Sequence, residues 1–239
     1  MYTYLLEGLV YPLRDQLCFS YNSEFYGNAA DLRGKIDVDI DDNKISVKLQ
    51  SNIGMDVYDL RNSILVDINA KISVLSYIHG LPFRVDIVKI TCEELEIDHI
   101  YSNQITCVEQ FVSGSAVDQG RIFALCTGES GLLIGRCMVD MGLAMTHVVD
   151  TAFYCYRAIE SLMRHCALSV AVVNKERMWE VFREKAGCTR DEIMEIKKMA
   201  DPLRHGGISD LTAENRKNTL LLAWRLVAQY LMGLPVHSQ

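Results

Sequence analysis

The chain has 239 residues, of which 49% are hydrophobic, and it carries a formal net charge of −7 at pH 7. This length can form one large domain or two small ones, with enough apolar side chains for a sizeable core. The acidic balance argues against broad electrostatic attraction to nucleic acid or to an anionic membrane, but it allows a local basic pocket.

The cysteines and the N-terminal segment indicate where the protein resides. Eight cysteines are scattered without a CxxC pair or a His/Cys cluster at zinc-ligand spacing, so we expect free thiols, no structural metal and no cofactor. Glu7 and Arg14 interrupt the N-terminal apolar stretch, which argues against a signal peptide. The most apolar region, 131–145, contains Arg136 and Asp140 and is shorter than the ~20 apolar residues of a membrane span. The sequence predicts an intracellular, cytoplasmic protein with no membrane partner.

The N-terminal region, residues 1–50, is typical of β-strands, because it is rich in aromatic and branched side chains. Apolar residues alternate with Asp, Ser and Lys over 36–40 and 45–49, and four turn-forming residues, 41–44, lie between them. This pattern predicts a β-hairpin with one buried and one solvated face. The aspartates lack the glycine and the distal glutamate of a calcium loop, so strand alternation and turn chemistry explain them.

A long helix is predicted from Asp56 to His79. Asp56 is a suitable N-cap, and Gly80 and Pro82 are stop signals. Its inward face is expected to comprise Val57, Leu60, Ile64, Leu65, Ile68, Ile72, Leu75 and Ile78.

Strand alternation returns over 83–90, and one or two further strands are predicted within 93–111. We therefore predict an antiparallel α+β domain over residues 1–112. No catalytic constellation is evident in it. We find no residue pattern there that would support a nucleotide or small-molecule sensor.

A linker is predicted over residues 113–131. Its first part, SGSAVDQG, is small, polar and without periodicity, and GESG at 128–131 is a second break. The intervening RIFALCT fits either one more strand or the start of a helix. Neither a P-loop nor a nucleophile elbow fits GESG, because the residues that those motifs require are absent.

Residues 132–239 are predicted to form an antiparallel helical bundle, because amphipathic segments are joined by short loops. A capping box at Thr189 and Glu192 starts one helix, and Pro202 is expected to stop it. The predicted fold is thus α+β: an antiparallel sheet with one long helix, followed by an all-helical bundle. The predicted helices span about 132–148, 151–170, 175–185, 189–199 and 212–232.

The helix at 151–170 has two distinct faces. Arg157, Glu160 and Arg164 lie three and four residues apart, so they are neighbours on its polar face. These three side chains fit a solvated ion-pair stripe. Alternatively, Glu160 reaches across the bundle and anchors Arg204. The apolar face comprises Ala152, Cys155, Tyr156, Ile159, Leu162, Met163, Cys166 and Val170.

Two segments carry a resemblance to a known family. TAFYCYRAIESLMRHCAL at 151–168, followed by IKKMADPLRHGG at 196–207 and a long final helix, resembles the HEPN superfamily (higher eukaryotes and prokaryotes nucleotide-binding). The likeness covers about the last hundred residues, and it is to the bacterial group with a strand-rich N-terminal region. It implies a helical bundle that commonly forms a homodimer and belongs to stress or defence biology. Active members look like metal-independent ribonucleases, in which an arginine and a histidine four to six residues later face their partners across a dimer groove.

Arg204 and His205 are the candidate catalytic residues that the resemblance indicates. Here they are adjacent, and no arginine lies four to seven positions before His205, which departs from the family pattern. The preferred hypothesis is therefore a dimerising RNA- or ligand-binding module, with Arg157, Glu160 and Arg164 as binding or supporting residues.

The alternative hypothesis is a metal-independent endoribonuclease. In it Arg204 holds the phosphate and His205 removes a proton from the ribose 2′-hydroxyl. A purely structural interpretation is also open, in which the same two residues complete a tight loop before Gly206 and Gly207.

Overall fold

The computed structural model describes residues 1–26, 33–101, 106–108, 119–207 and 212–235. They divide into two units, Met1–Asn103 and Gln104–Gln239. The first unit is built on an antiparallel sheet and the second is helical, which confirms the predicted α+β class.

Six antiparallel strands form one sheet in the first unit, in the order β2-β3-β4-β1-β5-β6. Along β1, β3 and β4, buried and exposed side chains alternate from one residue to the next, as expected for a sheet with one covered face. The strands are β1 (Tyr2–Tyr11), β2 (Phe19–Tyr26), β3 (Arg33–Asp41), β4 (Lys44–Ser51), β5 (Arg84–Cys92) and β6 (Ile97–Ile100).

The predicted hairpin is confirmed as β3 and β4. Val38 lies opposite Val47 in the register, and both side chains are buried. Asp42 and Asn43 form the two-residue turn with φ of 47° and 64°, the left-handed conformation that suits the twist of a tight hairpin. The aspartates before the turn therefore have a structural explanation.

Helix α1 (Val57–His79) confirms the predicted long helix and its caps. The Asp56 carboxylate accepts hydrogen bonds from the Tyr58 and Asp59 amides, and Gly80 closes the helix with φ of 67°. On the inward face, the Arg61 Nε donates to the Ile87 carbonyl of β5 at 2.9 Å. The prediction for Ile78 was wrong: it is 64% exposed, because burial along this face ends before the last turn of α1.

The segment after β5 forms a short 3-10 turn at Glu93–Leu95 and then β6. A second strand predicted within 93–111 was wrong over Thr106–Val108, which form a 3-10 turn, and its remaining residues, 102–105 and 109–111, lie outside the described residues.

The linker prediction for 113–131 was wrong over 119–131, where helix α2 (Gln119–Leu125) and the start of helix α3 (Gly128–Thr146) lie. RIFALCT is thus helical over most of its length. A Cβ at position 131 would lie 2.5 Å from the Cys126 carbonyl carbon, so Gly131 permits a close junction between two helices. Gly131 therefore allows close approach, whereas Gly128, with φ of 75°, is the first residue of α3. Residues 113–118 of the predicted linker lie outside the described residues.

Helix α4 (Thr151–Ser169) is the centre of the second unit and packs against the other long helices. The predicted apolar face is buried from Ala152 to Cys166. Val170 is the exception, because it lies just past the helix end and is 41% exposed. The helices around α4 are α3, α5 (Lys175–Ala186), α6 (Arg190–Arg204) and α7 (Ala213–Met232).

Helix α6 corrects the prediction that Pro202 ends the helix. The capping box at Thr189 and Glu192 is confirmed, but the helix continues through Pro202 to Arg204. A proline in the last turn removes only one backbone hydrogen bond, and the turn is secured beyond it. The Gly207 amide donates to the Pro202 carbonyl at 2.8 Å and the Gly206 amide to the Leu203 carbonyl at 3.2 Å, with Gly206 at φ of 76°. This Schellman closure places Arg204 on the helix and His205 at its C-cap.

Candidate functional site

A cleft of about 580 Å³ opens between helices α4, α5 and α6 of the second unit. Helix α4 contributes Tyr156 and Glu160, and His205 lies at the C-terminal end of α6. From α5 come Lys175, Glu176, Trp179, Glu180 and Arg183. From α6 come Arg190, Ile193, Met194, Lys197, Asp201 and Arg204.

One wall of this cleft is a regularly spaced cationic face of α6. Arg190, Lys197 and Arg204 are seven residues apart, which is two helical turns and about 10.5 Å of axial rise. Asp201 lies between the last two. Its Oδ2 is 3.6 Å from the Lys197 Nζ, and its Oδ1 is 3.6 Å from the Arg204 Nη1. The wall therefore presents three cations and one carboxylate that two of them share.

The inner surface of the cleft is aromatic. Tyr156 and Trp179 stack with ring centroids 6.1 Å apart and planes inclined by 23°. The Arg204 guanidinium lies over the Tyr156 ring, 5.4 Å from its centroid. Burial, and then the nearby Glu160 carboxylate, raises the pKa of Tyr156 to about 12, so its phenol is a neutral hydrogen-bonding group.

The charge of the cleft differs in sign from that of the whole chain, whose net charge is −7. Among the described lining residues, cations outnumber carboxylates by one. The cations are Lys175, Arg183, Arg190, Lys197 and Arg204. The carboxylates are Glu160, Glu176, Glu180 and Asp201. Such a site favours a ligand that combines a planar ring with a negative group.

The structure brings three of the five predicted site residues together. Glu160, Arg204 and His205 all line the cleft, although Arg204 and His205 follow Glu160 by more than forty residues. The carboxylate paired with Arg204 is Asp201 rather than Glu160, so the anchoring role predicted for Glu160 was wrong. The error arose from Pro202, because the helix was expected to end near residue 199. Asp201 and Arg204 were therefore not expected to share a helical face.

The other two predicted site residues, Arg157 and Arg164, lie outside the cleft lining. Arg157 pairs with Asp140 of α3, its Nε donating to the Asp140 Oδ1 at 3.0 Å, and its guanidinium lies over the rings of Phe153 and Tyr154. Arg164 is exposed. The predicted ion-pair stripe on α4 is therefore wrong for Arg157, whose pairing instead connects two helices inside the bundle.

His165 belongs to the core of the bundle. It is 8% exposed, and its Nδ1 lies 2.7 Å from the Tyr230 hydroxyl of α7. Burial, and then the neighbouring Lys185 charge, lowers the pKa of His165 from its ordinary 6.5. The ring is therefore an interhelical hydrogen-bonding group that resists protonation.

This lowered pKa predicts a loss of stability in acid. Below pH 6.5 the unfolded chain takes up a proton on His165 that the folded chain does not, so the free energy of unfolding falls as the pH decreases. We expect His165→Gln to lose less stability than the wild type between pH 7.5 and 5.5, measured by urea unfolding at each pH. His79→Gln, at an exposed histidine, is the control and should follow the wild type. Parallel pH curves for His165→Gln and the wild type would contradict the prediction.

The described part of the chain shows no metal-binding cluster, no disulfide and no membrane-spanning helix. Within the described ranges, no group of three or more His, Cys, Asp or Glu side chains is arranged to hold a metal ion. All eight cysteines are free, and burial raises the pKa of Cys155 to about 12, so its thiol acts as a small apolar group. No helix in the described part of the chain has the length and apolar character to cross a membrane.

Most residues of the cleft were not predicted from the sequence, and Trp179 and Asp201 are two that a sequence signal could have identified. Trp179 had no predicted role in a site, although it shares a helical face with Lys175 and Arg183. A tryptophan on the charged face of an amphipathic helix is the signal that could have identified it. Asp201 could have been found from its spacing to Lys197 if the helix had been extended through Pro202.

Comparisons with known proteins assign the chain to a family. The sequence matches the family model described as "Domain of unknown function (DUF8168) N-terminal domain" over residues 4–101 and the "Domain of unknown function (DUF8168) C-terminal domain" model over 119–234. No curated protein and no solved structure matches it. The two matches follow the division into a sheet unit and a helical unit, and together they cover most of the sequence. The chain therefore belongs to the DUF8168 family.

Proposed function

We propose that the cleft between α4, α5 and α6 binds single-stranded RNA, and that the protein is an RNA-binding module of the HEPN type. The observation that carries the proposal is the stacked pair Tyr156 and Trp179 beside the cationic face of α6. Aromatic rings bind bases of any sequence by stacking, and lysine and arginine bind the phosphates that connect them.

The charge distribution favours a single strand over a duplex. A duplex presents a broad anionic surface, which a chain of net charge −7 repels outside its local basic region. Bases must also be unstacked from each other before they can stack on Trp179. A local cleft in which cations outnumber carboxylates and two aromatic rings are stacked meets both conditions.

The HEPN resemblance supports the same location. One of its two motif segments contains Tyr156 and Glu160, and the other contains Arg204 and His205. These four side chains line one cleft, although the segments are distant in the sequence.

The resemblance implies a homodimer, which we propose forms through the bundle. α3 offers a surface for a second copy, where Leu132 is 72% exposed and a Cβ at Gly135 would meet no atom. Sedimentation of the 27.0 kDa chain as a monomer at high concentration would contradict this dimer.

A second candidate function is metal-independent RNA cleavage, and the observation that favours it is that Arg204 and His205 both line the cleft. In this reaction Arg204 would hold the scissile phosphate. His205 would take the proton of the ribose 2′-hydroxyl as that oxygen attacks the phosphorus to form a 2′,3′-cyclic phosphate, and the 5′-oxygen would leave as a hydroxyl with a proton from water.

One experiment tests both candidates. Fluorescence anisotropy with a labelled single-stranded oligoribonucleotide, in EDTA, compares the wild type with Arg204→Ala, His205→Ala and the exposed control Arg164→Ala. We expect Arg204→Ala to weaken binding by about tenfold to 150-fold, because a charge-assisted phosphate contact contributes ~1.5–3 kcal/mol. Arg164→Ala should bind like the wild type.

The RNA recovered from the same samples separates binding from cleavage. RNA left intact by the wild type identifies a binding module, whereas cleavage lost in both Arg204→Ala and His205→Ala identifies the endoribonuclease. A wild-type chain that binds neither this strand nor its duplex would overturn the proposed function.

A further inference from the structure

We infer that Asp201 is an internal competitor of the ligand: its carboxylate occupies the phosphate subsite formed by Lys197 and Arg204 until RNA displaces it. This inference rests on the proposed RNA-binding function of the cleft. It assigns Asp201 a role in setting the affinity for phosphate.

Asp201 is placed where a bound phosphate would be expected. It follows Lys197 by four residues and precedes Arg204 by three, so the three side chains share one face of α6. Its two carboxylate oxygens each face a different cation, at 3.6 Å in both cases. A phosphate group, which also presents several oxygens to several donors, would make the same pair of contacts.

The contacts that Asp201 makes are weak enough to be exchanged. A separation of 3.6 Å is longer than a hydrogen bond, so Asp201 interacts with Lys197 and Arg204 by charge alone. The three side chains are 35–39% exposed, which lets water and salt screen that attraction. A phosphate at hydrogen-bonding distance would therefore form the stronger contact.

Stabilisation of α6 does not explain why a carboxylate occupies position 201. It lies in the last turn of α6, where the negative end of the helix dipole disfavours a carboxylate. The helix end is closed instead by backbone hydrogen bonds through Gly206 and Gly207. Removing the charge of Asp201 should thus leave the fold intact.

The charge of the subsite follows from this arrangement. Lys197 and Arg204 with Asp201 carry a net charge of about +1, which matches the single charge of one phosphodiester. Neutralising Asp201 frees one of the two cations for a further phosphate, so RNA should bind more tightly and with a stronger dependence on salt.

The test is RNA binding by Asp201→Asn, measured by anisotropy over a range of salt concentrations with the labelled single-stranded oligoribonucleotide. We expect the affinity to rise about threefold to tenfold, and the slope of log K against log salt to steepen by about 0.7 as one further phosphate is neutralised. Asp98→Asn makes the same change in net charge at an exposed Asp98–Lys89 pair in the first unit, and it should not change binding.

A second variant tests whether Asp201 acts through its partners. In the Lys197→Ala background, Asp201→Asn should give a smaller gain in affinity than in the wild type, because one of the two cations it competes for is absent. Thermal unfolding of Asp201→Asn at or above the wild-type temperature would show that the gain does not come from a disturbed fold.

The outcomes separate this inference from the proposed function. A wild type that binds RNA with an affinity and salt slope equal to those of Asp201→Asn would overturn the role of Asp201 alone. Failure of both chains to bind would overturn the role and the function together. Binding by Asp201→Asn alone would support the internal competitor and overturn the proposed function as a property of the unmodified chain.

Discussion

Replacing Arg157 with alanine is expected to lower the free energy of unfolding of the helical unit by roughly 3 kcal/mol, because the change leaves the Asp140 carboxylate buried without its partner. Asp140 is fully buried, and the contacts of its Oδ1 are to the Arg157 guanidinium. Within the described ranges its Oδ2 has no hydrogen-bond partner, so the buried carboxylate depends on Arg157 for its polar contacts. The value lies at the lower end for a broken buried pair, because the Arg157 side chain is 32% exposed and its removal admits water.

Arg164→Ala is the matched control for this experiment. It lies on the same helix seven residues later and is exposed, so its removal should change stability by less than about 0.5 kcal/mol. Urea unfolding followed by circular dichroism measures both variants. Equal stability of Arg157→Ala and Arg164→Ala would contradict the prediction.

A double substitution tests the cause of the loss. Arg157→Met combined with Asp140→Leu replaces both charges with apolar side chains, so no buried charge is left without a partner. We expect the double variant to recover most of the stability that Arg157→Ala loses, because a buried ion pair is often replaceable by apolar residues at little cost. A double variant as unstable as Arg157→Ala would show that packing, not charge, controls this site.

Local sequence signals correctly predicted the elements that are determined by residues close to them in the sequence. The β3–β4 hairpin followed from period-two alternation around a polar turn, and α1 followed from its Asp56 and Gly80 caps. The capping box at Thr189 predicted the start of α6 in the same way. In each case the residues that determine the element are neighbours in the sequence.

Predictions failed where a distant or cooperative contact decides the outcome. Pro202 lies in α6 because the Schellman closure at Gly206 and Gly207 secures the turn after it. Gly131 lies within α3 at a junction with α2 that leaves no room for a Cβ, so this glycine marks a close contact and not a break. Asp140 appeared to interrupt an apolar run, and only the packing of α3 on α4 shows that Arg157 balances its charge. These contacts join residues that no sequence periodicity connects.

The candidate site was predictable in part for the same reason. The HEPN resemblance indicated Arg204 and His205, and the polar face of α4 indicated Glu160, because motif and helical spacing are read from short segments. The third wall, α5, has no motif. Trp179 joins the cleft only because α5 packs beside Tyr156 and orients the charged face of the helix inward.

Trp179→Ala is expected to weaken the binding of single-stranded RNA by about fivefold to 150-fold, which corresponds to ~1–3 kcal/mol for one lost base stack. Trp179 combines the two features that such a stack requires. Its ring lines the cleft, and it is held in place by an edge-to-face contact with the buried Phe182, with centroids 6.0 Å apart. The ring can thus accept a base without first becoming ordered, which would otherwise cost binding free energy.

Trp224 provides the control, because it is the other tryptophan of the chain, is half-buried against the bundle core, and lies outside the cleft lining. Trp224→Ala should lower stability, as Trp179→Ala also should, but it should leave RNA affinity unchanged when both are measured by anisotropy well below their unfolding temperatures. Trp179→Phe retains an aromatic face and should recover part of the affinity, whereas Trp179→Leu retains an apolar side chain without a stacking surface and should not. Equal binding by the phenylalanine and leucine variants would mean that the ligand contacts Trp179 through apolar burial alone, and stacking would then have to be removed from the description of the cleft.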